Sequence, residues 1–171
     1  MACHGDNGGP NPTWVSYCPS TTLEVPPNSI ITVVIKNYDT PTPLHNTFFR
    51  QVRGTIGGIE MVNNKPMSQL DASLVSHTFT LQSKPESPNP LFVSVPVAAT
   101  PNNAPTPVTI NGNSYANPMV ISFQFRTEAN GSYIWHCYDP CGSGLQDFNQ
   151  GFGGPMSTTG YMAGTMTVTN Y

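Results

Sequence analysis

The sequence predicts one all-β domain, an antiparallel Greek-key β-sandwich, and three observations carry that prediction. Charged residues make up only 9% of the 171 positions, against roughly 25% in ordinary soluble domains, so the usual surface helix formers are missing. Aromatic residues are plentiful, with 8 Phe, 7 Tyr and 2 Trp, which supplies the bulk a sandwich core needs. Runs rich in Thr, Val, Ile, Phe and Tyr are separated by Pro, Gly and Asn, and no stretch of ten or more residues has helical periodicity.

The elements follow in order. Residues 1–20 read as an irregular segment that a Cys3–Cys18 disulfide would staple, because its Pro, Gly and Asn content cannot hold a fold alone. The remainder, 21–171, forms the domain proper. Ile30-Ile-Thr-Val-Val-Ile-Lys-Asn is β-branched throughout and predicts a strand ending at Asn37. Residues 38–76 are broken by Pro43, Gly54, Gly57-Gly58 and Pro66, and read as an insertion of loops with room for a hairpin. Val75-Ser-His-Thr-Phe-Thr-Leu alternates cleanly, and Leu91-Phe-Val-Ser-Val follows it as another strand. A Pro- and Asn-rich connection over 96–118 leads to the strand Met119–Arg126. Glu128-Ala-Asn-Gly-Ser makes a turn into Tyr133-Ile-Trp-His-Cys, a Gly-rich loop spans 138–160, and Tyr161–Val168 closes the domain. The Asn130-Gly-Ser sequon reads first as that hairpin turn.

Charge and length exclude several classes. The formal net charge is −3 and no Lys/Arg cluster exists, which argues against nucleic acid as a partner. No run of about 18 apolar residues is present, so no transmembrane segment is expected in this sequence. The opening Met1-Ala-Cys-His-Gly-Asp shows no signal peptide and reads as a domain trimmed of an N-terminal anchor or signal. With few carboxylates to protonate, tolerance of an acidic setting is expected. Hydrolase chemistry lacks a Gly-x-Ser-x-Gly nucleophile or a convincing carboxylate pair. Gly151-Phe-Gly-Gly lacks the Lys and Ser/Thr of a phosphate loop.

The stretch that carries chemistry is Gly131-Ser-Tyr-Ile-Trp-His-Cys-Tyr-Asp-Pro-Cys-Gly, continued by Gly160-Tyr-Met-Ala-Gly-Thr-Met-Thr-Val. An aromatic strand, a Cys at its end, a loop, and then Met-x-Gly-x-x-x-Val resembles the C-terminal half of cupredoxins. In the same way His77-Thr-Phe-Thr resembles the upstream strand that delivers that family's first His, and His45-Asn-Thr-Phe resembles it nearly as well. The resemblance covers 21–37, 75–95 and 119–168, and it implies copper and one-electron transfer. On that reading Cys137 is the thiolate ligand and electron exit, His77 the opposing imidazole, and Met162 the axial thioether, with His45 able to complete the set. Thiolate and imidazole suit copper, and a weak thioether tunes the potential. Period two puts Cys137 on the face of Tyr133 and Trp135 and sends His136 to the other face. Met166 alternates into the core, whereas Met156 lies in the loop where a second His is absent.

Two departures open a fork. No His stands between Cys137 and Met162. The Cys137-x₃-Cys141 spacing resembles the binuclear copper domain of oxidase subunit II, but Gly142-Ser-Gly-Leu follows Cys141 where that family has a His. In one branch His77, Cys137, Cys141 and Met162 bind copper, completed by His45 or a backbone oxygen. In the other, Cys137 and Cys141 form a disulfide and the domain is metal-free, as the resemblance to quinol-oxidase subunits II implies. The first branch makes the chain an extracytoplasmic electron-transfer domain working with a membrane respiratory complex or another redox partner protein, and not an enzyme by itself. The second makes it a structural subunit whose mark would be two disulfides. A copper carrier would show exposed Met and His around an open site. Zinc ranks low, because a domain of this size folds without a structural metal.

Overall fold

In the computed structural model, the described residues are 14–110, 112–139 and 154–170. They form the expected all-β architecture, with no α-helix among them, and no helix is long and apolar enough to cross a membrane. One sheet has the strand order β1 (Thr22–Val25), β11 (Ala163–Val168), β10 (Gly131–His136), β5 (Val75–Ser83), β6 (Phe92–Ala98). The other is ordered β2 (Ile30–Asn37), β9 (Met119–Arg126), β3 (Glu60–Val62), β4 (Lys65–Met67). Pairing is antiparallel except between β1 and β11, which run parallel.

The inner faces of both sheets meet in one core. β2 and β9 pair along their whole length, Ile30 opposite Arg126 and Asn37 opposite Met119. Their alternate residues Ile35, Ile121, Phe123 and Phe125 pack against Phe79, Leu81, Tyr133, Trp135 and Met166. Phe79 stacks on Trp135 at 5.1 Å between centroids, and Tyr17 meets Trp135 edge-on at 5.2 Å. The buried indole is satisfied by donating to the Thr21 carbonyl at 3.1 Å. That approach leaves no room for a side chain at Gly164, where a Cβ would lie 1.8 Å from the Thr21 oxygen.

The insertion at 38–76 holds the hairpin β3–β4 and three short 3₁₀ turns at Thr47–Arg50, Ile56–Gly58 and Ala72–Leu74. Asn63 and Asn64 take positive φ at the hairpin tip, the conformation a tight two-residue connection needs. The insertion does not hang off the domain. Arg53 exchanges both backbone hydrogen bonds with Ser94, and so extends the sheet beyond the edge strand β6. The connection 96–118 contains an additional hairpin, β7 (Val108–Ile110) and β8 (Asn113–Tyr115).

One buried group stands out against so uncharged a chain. Glu60 on β3 is fully buried, and neither carboxyl oxygen has a hydrogen-bond partner among the described residues. Burial pushes its pKa up to about 8 from an ordinary 4.5. The folded state therefore holds a proton at pH 5–8 that the unfolded chain releases, so Glu60 makes stability fall as pH rises through that window. Replacing Glu60→Gln should flatten the decline, recovering about 4 kcal/mol between pH 5 and pH 8. Urea unfolding across that range is the check, and parallel curves for the two proteins would refute the assignment. Gly164→Ala should cost about 2–4 kcal/mol through the clash with Thr21, and an unchanged melting temperature would show that β1 can move aside.

Candidate metal centre

Three chain segments converge at one end of the sandwich. His77 comes from β5, just after a register shift between Val75 and His77, and alternation places it in line with Phe79 and Leu81. Cys137 directly follows β10 and continues the inward series Tyr133, Trp135, Cys137, all buried as period two requires. Met162 immediately precedes β11, and Met156 sits in a 3₁₀ turn at Pro155–Ser157. Cys137, Met156 and Met162 pack together as a small apolar cluster with Val15 and Tyr17 at its margin.

Backbone bonds fix this cluster. Cys137 N–H donates to the Met162 carbonyl at 3.0 Å, and Met162 N–H donates to Pro155 at 2.9 Å. Thr78 grips both residues at the strand end: its N–H donates to Cys137 Sγ at 3.3 Å, and its Oγ1 accepts Tyr138 N–H at 2.7 Å. The sulfur also lies 3.3 Å from the Asp139 carbonyl oxygen.

The electrostatics are coupled. His77 Nε2 is 2.8 Å from Asp39 Oδ2, and the ring also hydrogen-bonds Cys137. Burial alone would pull its pKa down, but the bonds to Asp39 and Cys137 and their negative charge carry it up to about 10. Asp139 is pushed up to about 8, by burial first and by the Cys137 charge second. Asp39 is itself placed by Asn37, whose amide donates to Ser76 Oγ, to Ala98 O and to Asp39 O at 2.7, 2.8 and 3.3 Å. A cavity of about 420 Å³ opens beside this pair, lined by His77, Asp39, Met162, Tyr17 and Val34 among others.

The structure thus unites His77, Cys137 and Met162 and adds Met156 and Asp39. It does not bring in His45, which is exposed ahead of the first 3₁₀ turn and lines no part of the cavity. That expectation is corrected: a Pro-flanked loop held by Leu44 N–H to the Ala72 carbonyl leaves its imidazole in solvent. Cys137 is in no disulfide, so the Cys137–Cys141 bridge of the metal-free branch is not formed, its sulfur being engaged with Thr78 and His77 instead. Cys141 itself lies outside the described residues, as do Cys3 and His4. Cys18 is disulfide-bonded, its partner again outside the described residues. His136 points away from the site and rests against Tyr138, ring centroids 4.0 Å apart. Met166 is core packing, as its alternation predicts.

Thiol, imidazole and carboxylate in sequence are also the order of a nucleophile, its base and an orienting acid. Cys137 has no exposed surface and is covered by two methionines, so no substrate carbonyl can reach it. Among the described residues no three His, Cys, Asp or Glu side chains gather as a metal site by themselves. The groups that do gather here are one thiol, one imidazole and thioether sulfur. That mixture fits copper, whose softness accommodates sulfur, better than zinc, which takes a closed shell of Cys and His.

No protein-family model matches the chain, and no curated protein matches it. Two solved structures similar to it are of auracyanins, which are cupredoxins. One is auracyanin B, 18% identical over 88% of this chain and 78% of that one, with a TM-score of 0.35. The other is dithionite-reduced auracyanin from the photosynthetic bacterium Roseiflexus castenholzii, 16% identical over 88% and 85%, also with a TM-score of 0.35. Likeness at this level carries no argument about chemistry, which rests on the residues described above.

The Thr78 grip is open to a direct test. Thr78→Val keeps the shape but leaves the buried Tyr138 N–H without its acceptor, and should cost about 1–3 kcal/mol in denaturant unfolding. An unfolding midpoint equal to that of the parent would mean the hydroxyl does not hold the strand end.

Proposed function

We propose that this chain is an extracytoplasmic cupredoxin domain that binds one copper ion and passes single electrons to or from a redox partner protein, with a membrane respiratory complex as the setting. The observation that carries the reading is the hydrogen-bonded pair His77–Cys137, held without solvent contact at the cysteine and flanked by Met156 and Met162. His77, Cys137 and a methionine thioether would hold the metal, and bound copper would supply a one-electron couple. The chain's own contribution is fixed donor positions and dryness. The backbone bonds of Cys137 to Met162 and of Thr78 to the sulfur leave the donors little freedom to move, so a change of charge meets a small reorganisation. Thr78 N–H also draws electron density from the sulfur, which favours the reduced state of a metal bound there.

Two features support this over a structural, metal-free role. A structural role alone would need no buried imidazole bridging a thiol and a carboxylate, which is costly to desolvate. The engagement of the Cys137 sulfur with Thr78 and His77 supports a ligand role over the Cys137–Cys141 bridge that marks the metal-free alternative. A carrier role would favour exposed donors, whereas Met156 and Met162 are both buried.

Addition of copper(II) to the metal-free protein, with excess ion removed, should give a strong visible thiolate-to-copper absorption and about one equivalent of retained metal. Cys137→Ser should abolish the band, and His77→Ala should shift or bleach it while the fold persists by circular dichroism. Met156→Leu and Met162→Leu, measured separately, identify the thioether by which one moves the reduction potential. A colourless parent protein that retains no copper would overturn the reading.

A further inference from the structure

The insertion meets the proposed centre through an unbroken series of aromatic rings. Tyr138, next to Cys137, stacks on Phe49 with centroids 4.4 Å apart and planes inclined by 10°. Phe49 meets Phe48 edge-on at 5.1 Å, and Phe48 lies 6.4 Å from Phe92. Phe48 and Phe92 are 45% and 40% exposed, so the series begins at the residue after the buried thiol and ends in solvent. Arg53 completes the outer end, its guanidinium 4.2 Å above the Phe48 ring.

The geometry points to this patch as the electron port of the domain, and to a partner whose docking face is acidic. The inference rests on the copper reading above and adds where the electron leaves and what receives it. One electron passes between the Cys137 site, oxidised by one unit, and a one-electron acceptor protein, reduced by one unit, with no atom transferred. Tyr138 serves as a bridge rather than as a radical, because its hydroxyl donates to the Gln82 amide oxygen at 3.2 Å, and an amide is too weak a base to take the phenolic proton.

The chain is net negative, yet Arg50 at the end of this turn and Arg53 three residues beyond it are two of its six cations. Arg53 bonds Gln51 and has no carboxylate within ion-pair distance among the described residues. Arg50 bonds Gln69 at 3.2 Å and is partly offset by Asp71, whose pKa it helps to lower. A positive aromatic spot on a negative, charge-poor molecule selects one orientation for an acidic partner.

The test has two arms. With metal-free protein, the paramagnetic anion hexacyanochromate(III) should broaden the amide signals of residues 48–53 and 92 ahead of all others, and Arg53→Gln should remove the preference. With copper-loaded protein, oxidation by ferricyanide should slow about three- to tenfold in Arg53→Gln at low ionic strength, the difference closing in high salt. Phe49→Leu should slow the same reaction at unchanged potential and absorption band, and exposed Phe48→Ala serves where the Phe49 variant misfolds. Broadening centred elsewhere, or rates unaffected by these changes in a protein that does bind copper, would overturn the port alone. Failure to bind copper at all would overturn the proposed function instead.

Discussion

Thr78 closes the contact on which the site depends. Its backbone N–H reaches the Cys137 sulfur and its hydroxyl takes the Tyr138 N–H, so one buried residue of β5 holds two successive residues where β10 ends. Beyond that point the ladder between β5 and β10 stops: the last paired residues are His136 and Thr80. Without a side-chain acceptor the chain would leave the sheet with an unpaired buried donor. With it, Cys137 keeps the inward direction set by Tyr133 and Trp135 and meets His77 one residue before the clamp. The methionine segment then docks through Cys137 N–H to Met162 O. Each donor thus derives its position from a strand end, and the strand ends derive theirs from the core.

Much of this was legible because it is local. The strands Ile30–Asn37 and Met119–Arg126 have the bounds that β-branched and alternating residues dictate, and period two separates Cys137 from His136 correctly. His77, Cys137 and Met162 stand out because each sits at a strand position with a recognisable neighbourhood. Asp39 gave no such signal: it lies 38 positions from His77 and becomes its partner only through Asn37, whose amide ties the end of β2 to Ser76 and Ala98. Such long-range side-chain bonds have no periodicity to read. His45 misled for the opposite reason, since its sequence neighbourhood imitates that of His77 while its backbone is loop. The β7–β8 hairpin was hidden by the prolines around it, although Gly112, at a φ of 80°, marks its turn.

The scarcity of charge takes on meaning once burial is known. Glu60 and Asp139 both hold protons near neutrality because they are buried, so the formal charge of −3 overstates how many carboxylates ionise in the folded domain. The ordinary picture of acid denaturation, carboxylates forced to protonate, applies weakly to a chain that keeps two of them protonated already. The linkage runs the other way at Glu60, with acid favouring the fold. That sign agrees with the acid tolerance expected from composition, but its origin is a specific buried residue rather than the low count.

Two aromatic systems flank Cys137, and the pleat keeps them apart. Tyr133 and Trp135 point inward to Phe79 and Tyr17, forming a dry interior wall. His136 and Tyr138 point outward, and there Phe49 of the insertion stacks on Tyr138. The inner set is closed except at Tyr17, which is half-buried where it lines the cavity. The outer set reaches solvent through Phe48, which is half-exposed. Its exposure beside Arg53 is what the proposed port uses, and the stack through Phe49 ties it to the residue next to the thiol.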